Sequence, residues 1–405
     1  MSVGQVETDV CVVGGGPAGL VLGLLLARDG VRVVVCEKHE DFLRDFRGDT
    51  VHPSTLDLLA ELGLDKEFEQ LPHRTVTALS VDLPDGVWPV GDLSRLRNPH
   101  PYLAMVPQWD LLEMLANHAA QYPTFTLLRS AEVTDVIREN GVVTGVRTAG
   151  HGDIRARLTV AADGRHSTVR RALGLRSRDF GAPMDVAWFR LPRRDSDGEG
   201  LVAHFGAGRI LITIDRGDYW QVAYVLPKDG YRELVADGLP AFRASVCDLV
   251  PVLADALEGV TSWDQIKILT VRVDRLERWH APGALLIGDA AHAMSPVGGV
   301  GINLAVQDAV AAARILVEPL KTHRLSSAVL AKVQRRRTPP TVGTQLFQRL
   351  AQHAVIRPVL SGGRPVTAPF PLRMLRRFPA LQVIPARLIG IGLRPEHPPR
   401  PEPLS

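Results

Sequence analysis

Residues 8–37 read TDVCVVGGGPAGLVLGLLLARDGVRVVVCE. Thr8 to Val13 is dense in β-branched residues and spells a buried strand. Gly14-Gly15-Gly16-Pro17-Ala18-Gly19 follows at once, a G-x-G-x-x-G. Leu20 to Asp29 is an apolar helical run closed by Gly30, and Val31 to Cys36 is a second strand ending in Glu37. Strand, glycines, helix, strand and acid in this order make a βαβ dinucleotide-binding unit. Gly14 permits the tight turn, Gly16 lets the backbone approach a pyrophosphate, and Gly19 lets helix and strand pack closely. The first-turn N–H groups have no intrahelical partners, so they and the helix dipole can receive a diphosphate. Glu37 can accept hydrogen bonds from an adenosine ribose and would repel a 2′-phosphate, which suits FAD or NAD better than NADP. A glycine-rich turn in an ordinary α/β core leaves the placement of Glu37 unexplained.

Two later stretches have the same strand-then-turn form. Ile154 to Ala162 reads as a strand ending at Asp163-Gly164, and Arg165-His166-Ser167-Thr168-Val169-Arg170-Arg171 follows. Asp163 can hold the turn or accept hydrogen bonds from a ligand, and Arg165 and Arg170 suit phosphate or carboxylate. Taken alone this is ordinary turn chemistry. Further on, Leu285-Leu286-Ile287 hands over to Gly288-Asp289-Ala290-Ala291-His292. A glycine loop, Pro296-Val297-Gly298-Gly299-Val300-Gly301, then leads into Ile302-Asn303 and a helix expected over Leu304–Val317. Asp289 can bond a ribityl hydroxyl, and the loop admits a flat ring to the backbone. The helix N-terminus at Ile302 and Asn303 would place positive potential beside that ring's pyrimidine end. His292 is expected to close the turn as a structural residue, since no triad or metal partner stands at a suitable spacing.

These residues carry a family resemblance. GGGPAG with its acid near the N-terminus, DGRHSTVR mid-chain and GDAAHAMSPVGGVGINLAVQDA late in the chain resemble the class A flavoprotein monooxygenases, the 4-hydroxybenzoate hydroxylase-like group. The likeness runs over roughly residues 6 to 320. It implies non-covalent FAD held by Gly14, Gly16, Pro17, Ala18, Gly19, Glu37, Lys38, Arg47, Gln108, Asp163, Asp289, Pro296, Gly301, Ile302 and Asn303. Gln108 stands where many relatives carry arginine. It also implies NADH or NADPH as hydride donor and dioxygen as oxidant. One oxygen atom would pass through a flavin 4a-hydroperoxide into an aromatic or polycyclic substrate. No universal catalytic side chain transfers. Same-fold alternatives are epoxidation, Baeyer-Villiger oxidation, alkene reduction, or a flavin-binding protein without turnover. Halogenation is disfavoured, because Trp263 lacks the partners of a Trp-x-Trp-x-Ile-Pro signature.

The expected architecture is α/β: a Rossmann-like FAD domain from residues 1–75, 100–181 and 271–326, with an inserted antiparallel sheet domain from 76–99 and 182–270. Short β-type runs separated by Gly and Asp turns mark that insert, followed by a helix expected over Leu239–Leu257. The sheet is expected to roof the ring and form the substrate pocket. In Tyr219 to Tyr224 alternate side chains share a face, so Gln221 and Tyr224 compete as pocket residues. His204 reads more readily as a satisfied strand histidine than as a base. Residues 327–405 form a helical segment with Arg373, Arg376, Arg377 and the apolar LQVIPARLIGIGL. Packing on the FAD domain is the simplest reading, with pocket capping or contact with a membrane surface as alternatives. Pro395 to Pro403 is expected to be disordered.

The 405-residue chain is 45% apolar and 22% charged with a net charge of +3, an ordinary globular balance that gives no reason to expect nucleic acid. Cys11, Cys36 and Cys247 show no metal spacing, and two lie in strands read as buried, which points to a reducing cytoplasm. No signal peptide is read, and no apolar run reaches the ~18 residues of a spanning helix. Monomer and homodimer stay equally open.

Overall fold

The computed structural model describes residues 6–43, 50–362 and 367–398; Arg44 and Arg47 lie outside them. Its centre is an eight-stranded sheet. In spatial order the main path runs His280–Ala281, Ala284–Leu286, Gly152–Ala161, Val6–Val13, Val33–Cys36 and Phe125–Leu128. The last five pair in parallel. A hairpin of Val133–Glu139 and Val142–Thr148 joins antiparallel to Gly152–Ala161. At the turn of this hairpin Asn140 and Gly141 both have positive φ, 49° and 79°, as a tight hairpin requires. The parallel strands are near-continuous apolar runs because both their faces are covered. Val10, Cys11 and Val12 are fully buried. The helix Pro17–Arg28 packs on the sheet and against the long helix Gly301–Lys321. That helix begins three residues before the expected Leu304 and runs past Pro319. The run Val297–Lys321 is long and apolar enough to cross a membrane, yet most of it is buried as a core element.

A second sheet of seven strands has the order Lys267–Leu269, Met184–Pro192, Tyr219–Pro227, Arg209–Asp215, Leu201–Gly206, Ala78–Leu83 and Gly86–Asp92. All its pairings are antiparallel except Leu201–Gly206 with Ala78–Leu83, where residues from early in the chain extend the sheet. Helix Tyr231–Leu249 covers one face through Phe242 and Val246, packed on Phe189, Val222 and Tyr224. The helix starts eight residues earlier than expected. Gly238, at φ +85°, kinks it and places Pro240 in the first turn of the second half, where its missing N–H costs no hydrogen bond. The other face carries Met184, Val186, Ala223 and Val225, against which Val297 of the glycine loop packs.

The C-terminal residues form helix Ser327–Ala351, its continuation through Leu360, and helices Phe370–Arg377 and Val383–Gly390. The last two lie along the edge strand Gly86–Asp92. One sequence expectation is corrected here. Pro395 and Glu396 are not a loose tail: Glu396 is buried and paired with Arg336 (2.7 Å) and Arg337 (3.4 Å). It is the first acid in the sequence after Glu318, and two arginines on one helix need it. Residues 399–405 lie outside the described part.

Candidate functional site

Register brings the three motifs together. Val13 pairs with both Cys36 and Ala161, and Ala161 pairs with Leu286. Four parallel strands therefore end on one line, and the residues that leave them are Gly14, Glu37, Ala162-Asp163 and Ile287-Gly288-Asp289. Ladder bonds continue one step further: Gly14 N–H donates to Cys36 O (2.8 Å), Ala162 N–H to Val13 O (2.8 Å) and Ile287 N–H to Ala161 O (3.0 Å). Open α/β sheets bind ligands outside these carboxyl ends.

The glycines act as their positions require. Gly14 sits at φ +102°, and a Cβ there would lie 2.5 Å from Ala162 O. A Cβ on Gly19 would lie 1.9 Å from Gly14 O, whereas one on Gly16 meets nothing within 4 Å. Gly16 thus borders open space at the N-cap of the helix, with Pro17 at its first position and Ala18 beside it. Glu37 is buried; its Oε2 accepts from Gly15 N–H (2.9 Å) and its Oε1 from His39 N–H (3.1 Å). The acid braces the loop as well as bordering the cradle. Lys38 follows it at the exposed surface.

Asp163 caps the short helix Thr168–Ala172, its Oδ2 accepting from Thr168 N–H (2.8 Å) and Val169 N–H (3.3 Å). Its Oδ1 is buried with no hydrogen-bond partner. Burial pushes this carboxyl upward, opposed by Ser167 and the two backbone donors. Such an oxygen calls for a donor from a ligand. Asp289 keeps 36% of its side-chain surface open, with Arg165 at 4.0 Å. Its surroundings push its carboxyl upward by desolvation, and Arg165 opposes the shift. Arg170 turns inward to Asp274 (3.3 Å). The open cradle at Gly16 and the orphaned Asp163 oxygen fit a bound dinucleotide cofactor.

The glycine loop is held from three sides. Asn303 is buried, and its Oδ1 accepts from Ser54 (2.7 Å) and Thr55 (2.9 Å). Its side chain therefore fastens helix Pro53–Glu61, leaving only the backbone of Asn303 to face a ligand. His52 is buried, with Nδ1 2.9 Å from Ile389 O and Nε2 3.0 Å from Gly299 O. Helix Ser327–Ala351 and the turn after it supply three buried glutamines. Gln345 Nε2 donates to Asp274 O, Gln348 Nε2 to Ser295 O and Val297 O, and Gln352 Nε2 to Ser295 Oγ. The backbone N–H of Ser295, next to Pro296, donates to Gln348 Oε1 (3.2 Å). Gln108 opens helix Gln108–Ala119 just after strand Leu103–Met105, which pairs with Thr50–Val51. Thr50 and His52 lie against Gly299, so Gln108 is delivered to the same region.

His292 does close its turn: its N–H donates to Gly288 O (2.9 Å), and its ring packs 4.8 Å from that of Trp279. Its acidic partner, absent from the sequence reading, is Asp308, with Nε2 2.5 Å from Asp308 Oδ2. The same oxygen accepts from Gly288 N–H (3.1 Å), and Asp308 Oδ1 pairs with Arg337 (2.8 Å). Asp308, Asp274, His52 and the glutamines are the residues that the sequence reading missed. The spacing of 345, 348 and 352, one helix face, was the available signal. In the second sheet the facing question resolves. Tyr224 points to the covering helix and bonds Ser245 Oγ (2.8 Å), while Gln221 is buried with the opposite parity. His204 is held by Asp82 and Thr213 at 3.1 Å each, a satisfied strand histidine.

The FAD binding domain family matches residues 7–348. A 6-methylpretetramide 4-monooxygenase of Streptomyces rimosus is 35% identical, over 94% of this chain and 92% of its own length. A protoasukamycin 4-monooxygenase of Streptomyces nodosus subsp. asukaensis is 30% identical, over 82% of this chain and 84% of its own. Among solved structures, the OxyS anhydrotetracycline hydroxylase of Streptomyces rimosus superposes with a TM-score of 0.75 at 24% identity, covering 98% of this chain and 78% of that one. Pseudomonas aeruginosa PqsL in complex with 2-aminobenzoylacetate superposes at 0.77 and 24%, covering 88% of this chain and 99% of that one. Both share the fold. With the family matched over most of its length and three motifs meeting at one sheet edge, the chain belongs to the class A FAD-dependent flavoprotein monooxygenases and is an oxidoreductase.

Proposed function

We propose that the protein consumes NADH or NADPH and inserts one oxygen atom into a polycyclic aromatic substrate of the polyketide type. The observation that supports this reading is the common row of strand ends, which brings Gly14, Glu37, Asp163 and Asp289 to one sheet edge. The names of the two Streptomyces relatives support the substrate class. Bound there, FAD would accept a hydride and activate dioxygen. The chain's own residues would bind, orient and exclude water. The N–H groups beyond Gly16 would receive the diphosphate, with Pro17, Ala18 and Gly19 shaping the helix start. Glu37 and Lys38 would hold the nucleotide end, Arg47 and Gln108 would contact the cofactor, and the free Asp163 oxygen and Asp289 would accept from hydroxyls of the chain between nucleotide and ring. The backbone of Pro296 and of Gly301 to Asn303 would face the ring, where the helix N-terminus favours negative charge.

The substrate would lie between the glycine loop and the inner face of the seven-stranded sheet. Gln221 and Trp188 are polar groups on that face, and the Trp188 indole N–H is buried without a hydrogen-bond partner. Residues 76–99 and 182–270 would form the substrate domain on this reading. The test is direct. FAD-loaded protein is incubated with NADH or NADPH, air and a panel of polycyclic phenols. Faster cofactor consumption and a product heavier by one oxygen atom are expected. Product formed without oxygen would replace hydroxylation by reduction, and retained FAD with no turnover would leave a binding protein.

A further inference from the structure

Two regularities of the molecule break at the same place. Between Glu318 and Glu396 the sequence holds fourteen Lys and Arg and no Asp or Glu, so the remainder of the chain is −11 against a whole-chain charge of +3. In the same stretch lie all the exposed Leu, Ile and Phe side chains of the described residues except Leu43. Scattered exposed apolar residues are unremarkable, but their concentration marks a contact surface.

The concentration peaks on helices Phe370–Arg377 and Val383–Gly390 and the turn between them. Phe370 is 73% and Ile384 63% exposed, and Phe378 and Leu381 are exposed between them. Arg373, Arg376, Arg377 and Arg387 are exposed along the same elements. This is not a frayed end. Both helices lie on the edge strand Gly86–Asp92, with Arg376 over the Trp88 ring at 4.7 Å. Ala386, Ile389 and Gly390 are buried, and a Cβ on Gly390 would crowd Leu93 and Pro53. Covering the sheet edge needs only this inner face. The outer face, Leu381, Ile384 and Arg387 at helical spacing, is left over.

We propose that the outer face of Phe370–Gly390 is a docking surface for an anionic lipid bilayer. An occupant must bury bulky apolar side chains and neutralise arginines together. In a two-fold dimer through this face, a second copy of the chain would bring its own acid-free cationic segment against the first. A bilayer surface supplies an acyl boundary for Phe370 and Ile384 and phosphate headgroups for the guanidinium groups above them. Docking there would also bring the enzyme to where flat apolar compounds concentrate.

The FAD-loaded full chain is sedimented with vesicles of phosphatidylcholine alone and of phosphatidylcholine with about a third phosphatidylglycerol. Pelleting with the anionic vesicles only, reversed by high salt, is expected. Phe370→Ser with Ile384→Ser, and separately Arg377→Gln with Arg387→Gln, are each expected to weaken partitioning by about tenfold or more. Both pairs are exposed, and unchanged FAD content and unfolding temperature report that the fold persists. No pelleting, equal pelleting with neutral vesicles, or pelleting indifferent to both double variants would overturn the proposal. So would a dimer in light scattering that the Phe370/Ile384 variant dissociates, or capture of an acidic protein with no vesicle binding.

Discussion

Two glycines three residues apart do different work, and substitution separates them. A methyl group on Gly16 meets no protein atom within 4 Å, and its φ of −78° and ψ of −176° suit any residue. Gly16→Ala should leave the apo-protein's unfolding temperature unchanged and weaken FAD binding by about tenfold, ~1.4 kcal/mol, because the methyl group enters the diphosphate cradle. Gly19→Ala places its methyl group 1.9 Å from a backbone oxygen that cannot swing aside. It should cost about 1–3 kcal/mol of stability before any ligand is added. Thermal unfolding and flavin fluorescence titration on both variants check the pair; equal stability loss in the two would refute the distinction. This level of detail was legible in the sequence, since G-x-G-x-x-G already assigns different tasks to its glycines. Glu37 was legible in place but only half in role. That its carboxylate braces Gly15 N–H depends on the loop's three-dimensional path, which no local pattern encodes.

At the scale of elements, the glycine loop is positioned by side chains that come from far along the chain. Gln348→Leu would strand Ser295 N–H and O and Val297 O in a buried site. Unmet buried groups cost about 1–3 kcal/mol, so a lower urea midpoint and faster FAD release are expected, measured by denaturation and by fluorescence on dilution. His52 lies between the loop and the end of helix Val383–Gly390, its ring nitrogens facing the carbonyls of Gly299 and Ile389, and the neutral ring donates to only one of them. Burial lowers its pKa to about 4, outweighing the two carbonyls that favour the charged ring. Its unfolded value is near 6.5. The unfolded chain therefore binds the proton first as pH falls. The stability tied to neutral His52 is complete above about pH 6.5 and is lost from there down to about pH 4, at roughly 1.4 kcal/mol per pH unit. Between pH 7 and 4.5 the wild-type unfolding temperature should fall more steeply than that of His52→Gln; parallel curves would contradict a buried neutral histidine. The elements themselves were largely readable, from apolar runs and turn residues. The reading failed at Gly238, where a kink before Pro240 joins two helical pieces that composition alone separates. It also failed at the glutamines, because a polar stripe on a helix reads first as a solvated face.

For the whole molecule, the C-terminal segment belongs to the fold around the cofactor crevice. Glu396, Arg337 and Asp308 are all fully buried, and Asp308 in turn holds Gly288 N–H and His292 beside Asp289. A charge relay thus runs from the end of the described chain to the turn that carries the third motif. Its existence was hidden because a Pro-rich terminus ordinarily lacks the apolar residues to order itself, whereas here a single acid answers two arginines. Arg394 O also accepts from Arg337 (3.1 Å), so a chain ending at Arg394 would offer its new carboxylate in place of Glu396. Truncation after Gly392 instead would leave Arg337 buried with one carboxylate rather than two and Arg336 without its partner. Removing one member of a buried ion pair costs about 3–5 kcal/mol, chiefly through the charge left behind. The truncated protein should unfold at a correspondingly lower urea midpoint and retain less FAD, with Glu396→Gln intermediate because its amide oxygen still accepts. Since the loss arises from an uncompensated cation, adding Arg337→Met to the truncated chain should restore part of the midpoint, although it removes a further ion pair with Asp308. Asp308 then keeps its bonds to Gly288 and His292, so FAD retention should recover less than stability does. A truncated chain as stable as the full one, or a second substitution that only adds to the loss, would mean that the terminus rests on the surface and takes no part in holding the site.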